Sequence, residues 1–173
     1  MSATGLPSPT SPDARGVRRV LFVCLGNICR SPLAQGVFEH LAQERGVRAE
    51  FTVASRGTGD WHVGRPPDPR AIAVAQRHGV RLNSTARLIN PAADAADFEL
   101  ILGMDRRNVA SLIAAGFPAE RVGLYLGYLA RRQPGTPSDV PDPYYGGDDD
   151  FLEAYRLIHA GAHALLEEML REP

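Results

Sequence analysis

Val20-Leu21-Phe22-Val23-Cys24-Leu25-Gly26-Asn27-Ile28-Cys29-Arg30-Ser31-Pro32 reads as an apolar strand ending in a cysteine, then a short loop, then a helix start. Ser31 can cap the first free N–H groups of that helix, and Pro32 suits its first position. Gly26 and Asn27 tolerate positive φ, so successive loop N–H groups can turn inward as an anion nest. The positive end of the helix adds to that field. Arg30 can hold two non-bridging phosphate oxygens at once, a geometry lysine cannot supply. The same positive elements favour the thiolate of Cys24. Attack on phosphorus would give a cysteinyl-phosphate, hydrolysed in a second step.

Around this core, strand and helix patterns alternate. Val17 to Val23 predicts a buried strand, and Pro32 to Arg45 a helix with Leu33, Val37, Phe38 and Leu41 on one face. Strands follow at 50–55, 98–102 and 121–126. Helices are expected at 68–78, ended by Gly79, at 105–115, ended by Gly116, and at 150–171. A long loop spans 131–147. This order predicts an α/β fold: a Rossmann-like four-stranded parallel sheet with helices on both faces. Sites in such sheets form beyond the carboxyl ends of the strands, where the Cys24 loop lies. The 131–147 loop is long enough to reach over it.

Composition narrows the function. The 173 residues are 44% hydrophobic, enough for one well-buried domain, expected over residues 17–173. Residues 1–16, rich in Ser, Thr, Pro and Gly, read as a disordered tail without the apolar core of a signal peptide. The net charge is −1, and all 19 basic residues are arginine without a dense basic stripe, which argues against nucleic acid as a partner. No segment is apolar for long enough to span a bilayer, so no membrane partner is expected. The two cysteines do not form a disulfide framework, and no His or Cys cluster joins them as a metal site. A reduced, cytoplasmic compartment follows by default. His159 and His163 share a helix face but lack a third ligand, so they read as a partly solvated surface.

The stretch Cys24 to Pro32 resembles the signature of the low-molecular-weight protein tyrosine phosphatases. The likeness continues through Gly57-Thr58-Gly59-Asp60-Trp61-His62-Val63-Gly64, then Asp68-Pro69-Arg70-Ala71 with His78-Gly79. It extends to Met104-Asp105-Arg106-Arg107-Asn108, and to Asp142-Pro143-Tyr144-Tyr145-Gly146 with Asp150-Phe151. These motifs run in family order over about residues 17–172, and they imply a phosphotyrosine phosphatase I-like fold.

The resemblance implies Cys24 as nucleophile, Arg30 as phosphate clamp and Asp142 as general acid. Leu25, Gly26, Asn27, Ile28, Cys29 and Ser31 would complete the phosphate-binding loop. Asn27 would hold the loop's shape, Ser31 would support the thiolate, and Cys29 would form a protective disulfide with Cys24 under oxidation. An Asp on a loop beside a bound dianion suits protonation of a phenolate leaving group. Trp61, Tyr144 and Tyr145 would wall a flat ring, favouring phosphotyrosine over the shorter phosphoserine. His78 and Asp105 match supporting positions. The implied substrate is a phosphotyrosine-containing protein, a tyrosine kinase among the candidates, with inorganic phosphate and other oxyanions as inhibitors. No metal and no cofactor is needed, because the loop N–H groups and Arg30 supply the positive field.

Three positions depart from the family pattern. Gln35 replaces a common Glu, Ser84 a common His, and Arg56 a small residue, placing a positive charge near the expected mouth. Three other functions compete. Thioredoxin-coupled arsenate reduction passes a disulfide to further cysteines, and none follows Cys29. Protein-arginine phosphatases carry a smaller polar residue at the position of Ile28 and lack the tyrosine pair. A non-catalytic phosphate-binding module would have lost the nucleophile or the acid.

Overall fold

The computed structural model describes residues 6–8 and 12–171. Strand β1 (Arg18–Cys24) lies inside a parallel sheet of order β2-β1-β3-β4, with β2 at Phe51–Gly57, β3 at Leu100–Gly103 and β4 at Val122–Leu124. Alternate β1 side chains leave on opposite faces, as a strand covered on both sides requires. Val20 and Phe22 enter one core with α1 (Arg30–Glu44), α2 (Pro69–Arg77), α5 (Gly127–Arg132) and α6 (Asp148–Leu170). Leu21 and Val23 enter the other, with Ala95 of α3 (Pro91–Asp97) and Leu112 of α4 (Arg106–Ala114). The expected fold class is the observed one.

Two helices were not expected. The α3 segment buries only Asp94, so it carries no apolar periodicity; its signal is the cap, where Asn90 Oδ1 accepts from Ala93 N at 3.2 Å ahead of Pro91. The expected strand through Leu126 stops at Leu124, because Leu126 turns to αR backbone and caps α5. The long loop therefore begins at Gln133 rather than Arg131. No helix among the described residues is long and apolar enough to cross a membrane.

The expected tail falls partly outside the described residues. Within them, Pro7 is buried and its carbonyl accepts from Tyr128 Oη at 2.7 Å, while Leu6 packs on the larger core. Asp13 Oδ1 accepts from Val17 N at 3.0 Å, and Asp13 Oδ2 lies 3.6 Å from Arg19 Nη1 at the start of the sheet. These parts of 1–16 are fastened to the domain.

Candidate active site

The carboxyl end of β1 delivers Cys24, and the chain then turns closely over the end of β2. A Cβ at Gly57 would stand 2.9 Å from Leu25 O and 3.1 Å from Asn27 N, so only glycine permits the approach. Thr58 N donates to Cys24 O at 2.9 Å and Gly59 N to Leu25 O at 2.8 Å. Asn27 adopts φ +57°, alone among the described non-glycine residues in that region. Its buried amide secures the turn. Nδ2 donates to Ser31 Oγ at 2.8 Å and Ser55 Oγ at 3.0 Å, and Oδ1 accepts from Arg87 N at 2.9 Å.

Helix α1 begins at Arg30 with Cys29 as its N-cap and no side-chain cap, which corrects the expected capping role of Ser31. Pro32 sits at the third helical position, where the missing N–H is still one the helix cannot use. Ser31 Oγ instead lies 3.0 Å from Cys24 Sγ and 3.4 Å from Arg56 O. With Asn27 donating to it, its single proton can go to Arg56 O or to the sulfur. The uncapped N–H groups of α1 leave the positive helix end facing the loop.

Arg30 is almost wholly buried, its guanidinium fixed by protein partners. Nη1 donates to Asp105 Oδ2 at 2.6 Å and to Val140 O at 2.9 Å, and Nη2 lies 3.5 Å from Asp142 Oδ2. Burial opposes its charge, but Cys24, Asp105 and Asp142 outweigh burial and hold its proton more tightly than usual. Asp105 serves two elements at once: Oδ1 accepts from Asn108 N at 2.8 Å and caps α4, while Oδ2 holds Arg30. From the sequence it is expected only in a supporting place.

The segment carrying Asp142 is anchored on both sides. Val140, buried, donates its N–H to Met104 O at 2.9 Å. Beyond Asp142, Arg70 Nη2 donates to Tyr144 O at 3.0 Å and Nη1 to Gly146 O at 3.1 Å, with the guanidinium stacked 4.5 Å from the Phe151 ring. Arg70 is held in turn by Asp68, whose N–H donates to Ile28 O at 2.8 Å. Its hydrogen bonds from Arg70 keep the Asp68 carboxyl below the usual carboxylate range. This Asp68–Arg70 link between the Cys24 loop and the tyrosine segment was not singled out from sequence, although its motif was visible.

These parts enclose a cavity of about 340 Å³. Cys24, Leu25, Gly26, Ile28, Cys29 and Arg30 line it with Trp61, His62, Asp142, Tyr144 and Tyr145. Trp61 is 67% and Tyr145 95% exposed, so both rings stand in solvent at the rim. His62 was missed as a wall; it tilts against Tyr144 with ring centroids 5.9 Å apart. Cys24 and Cys29 are both free and buried. Burial, with the charges of Asp68 and Cys24 adding to it, pushes the Cys29 thiol far above its ordinary value, so Cys29 stays protonated.

Other expected neighbours lie elsewhere. Arg56 is turned away from the mouth and paired with buried Asp94 at 3.3 Å, so it gives no free charge there. His78 stacks on Tyr155, centroids 4.0 Å apart, away from the cavity. Gln35 and Ser84 line a separate groove with Ser55 and Arg87. Among the described residues no group of three or more His, Cys, Asp or Glu could hold a metal ion.

Known proteins share both sequence and architecture with this chain. The family model described as low molecular weight phosphotyrosine protein phosphatase matches residues 19–173. A phosphatase of that name from Sus scrofa is 38% identical over 152 residues, covering 88% of this chain and 96% of that protein. The crystal structure of YfkJ from Bacillus subtilis superposes with a TM-score of 0.82 at 35% identity, covering 90% of this chain and 96% of that one. The Drosophila arginine phosphatase structure superposes at 0.79 with 31% identity, covering 89% and 99%. A match over nearly the whole chain, in sequence and in architecture, places this protein in the low molecular weight phosphotyrosine protein phosphatase family.

Proposed function

We propose that this chain hydrolyses phosphotyrosine in proteins. The observation that carries the reading is the convergence of Cys24, Arg30 and Asp142 on one cavity of about 340 Å³ with aromatic walls. The thiolate of Cys24 attacks phosphorus; the S–P bond forms as the bond to the tyrosine oxygen breaks. Asp142 gives its proton to the departing phenolate. Water then attacks the cysteinyl-phosphate, Asp142 takes the water proton, and phosphate leaves with Cys24 restored as thiolate. Arg30 and the N–H groups of residues 25–31 hold the non-bridging oxygens through both steps. Ser31 Oγ, 3.0 Å from the sulfur, steadies the thiolate when it leaves phosphorus.

Trp61, Tyr144 and Tyr145 receive the substrate ring, and their height above Cys24 selects tyrosine over serine. Inorganic phosphate and similar oxyanions inhibit by occupying the same loop. No metal or other cofactor enters this scheme. The catalytic unit is residues 17–173, and the substrate is a phosphoprotein, a tyrosine kinase being one candidate. Two free thiols agree with action in a reducing compartment such as the cytoplasm. The arginine phosphatase among the similar structures favours phosphoarginine as a second reading. Apolar Ile28 and the paired Tyr144 and Tyr145 argue for tyrosine instead.

The deciding experiment compares phosphate release from matched phosphotyrosine, phosphoserine and phosphoarginine peptides, with EDTA present, for the native chain and Cys24→Ser. Turnover confined to phosphotyrosine and abolished by the substitution is expected. Release from phosphoarginine alone, or activity that survives in Cys24→Ser, would overturn the reading.

A further inference from the structure

The family match begins at residue 19, yet the chain has built a place for residues that precede it. Gly123 on β4 and Gly127 at the start of α5 lie four positions apart. A Cβ at Gly123 would stand 2.5 Å from the Pro7 ring, and one at Gly127 would overlap the Leu6 side chain. The space that side chains at 123 and 127 would fill is thus filled by Leu6 and Pro7. A second contact is polar and independent of the glycines. Tyr128 is buried, 1% exposed, and its hydroxyl donates to Pro7 O at 2.7 Å. No other acceptor for that hydroxyl is found among the described residues.

Helix α5 needs such help. It has six residues, no side-chain cap at its N-terminus, and too few turns to stand on its own propensity. Its position depends on what packs against it: Arg132 near its end pairs with Glu167 and Glu168 of α6, and Leu6 and Pro7 meet its start. We propose that the slot bounded by Gly123, Gly127 and Tyr128 is a recognition site for an apolar-proline segment, filled in cis by Leu6-Pro7. Recognition has three parts: a pocket for the branched side chain, a flat face for the proline ring, and one donor for the proline carbonyl. Leu6 and Pro7 are then a clasp that holds α5 to the sheet, and the slot binds the same segment when it is supplied separately in a peptide.

The test uses the full chain. Leu6→Asp places a charge in the slot without altering any residue of the sheet or of α5. In this variant the amides of Ala130 and Gln133, which donate to Leu126 O and Leu129 O, should exchange with solvent at least about tenfold faster. Amides of β1 and β3 should be unchanged, and the melting temperature should fall by roughly 2–8 °C. A synthetic peptide of residues 1–12, added at about millimolar concentration to match a short tether, should restore protection. The same peptide carrying Leu6→Asp should not. Tyr128→Phe, which removes only the hydroxyl, should move α5 exchange in the same direction by less. Unchanged α5 exchange in both variants would overturn the clasp. Failure of the native peptide to restore protection would overturn the separable site. A native dimer that Leu6→Asp converts to monomer would show exchange of the segment between copies and overturn the cis arrangement.

Discussion

Asp142 lies between Pro141 and Pro143, exposed at the rim, with its Oδ2 3.5 Å from Arg30 Nη2 and its Oδ1 accepting from Tyr144 N at 3.2 Å. Replacing it with Asn removes the proton and keeps the shape. Turnover of a phosphotyrosine peptide should fall about 10²–10⁴-fold. The loss should be much smaller for a nitrophenyl phosphate, whose leaving group needs no proton; equal losses on both substrates would deny Asp142 the acid role. Asn27 makes a structural prediction instead. It combines φ +57° with three side-chain hydrogen bonds. Asn27→Ala should cost roughly 2–4 kcal/mol, from the left-handed backbone and the partners left unmade. A urea midpoint shifted by less than about 0.5 kcal/mol equivalent would show that the loop does not depend on this amide.

At the scale of elements, α6 crosses the core with Gly161 against the Tyr125 ring; a Cβ there would stand 2.6 Å from Cε1. Tyr125 cannot swing aside, because its hydroxyl donates to Ile158 O at 2.6 Å. Gly161→Ala should therefore destabilise by about 1–3 kcal/mol despite the better helix propensity of alanine, and a melting temperature that rises would contradict this packing. Much of the architecture was legible from residues 17–45, where an unbroken apolar run and a periodic helix leave little choice. Helices α3 and α5 were not, because one buries a single carboxylate and the other starts at a glycine that serves a contact with Leu6. The same limit applied to the site. The Cys24 loop is local in sequence and declared itself, whereas the Arg30–Asp105 pair joins residues 75 apart and no local pattern encodes it. Arg56 shows the converse: a charge that sequence order put near the mouth is drawn away by Asp94.

Across the whole molecule, α1, α2 and α6 bring His40, His78, His159 and His163 to one side, with Glu44 and Glu167 facing them. Burial, helped by the charges of His163 and His78, lowers the proton affinity of His159. The unfolded chain, with His near about 6.5, then binds more protons than the folded one as pH falls. The stabilising contribution is complete above about 6.5 and is lost below it, towards the lower folded value. Chemical denaturation at pH 7.5 and 5.5 should show this loss, and His159→Gln should reduce it; an unchanged pH slope in the variant would assign the effect elsewhere. The exposed rings of Trp61 and Tyr145 have a different consequence. On the proposed reading they stay hydrated until a substrate ring covers them, whereas the polar floor is already assembled. Titration calorimetry at several temperatures should therefore give a negative heat-capacity change for benzylphosphonate and nearly none for inorganic phosphate. That difference would measure how much of the recognition belongs to the rim and how much to the anion.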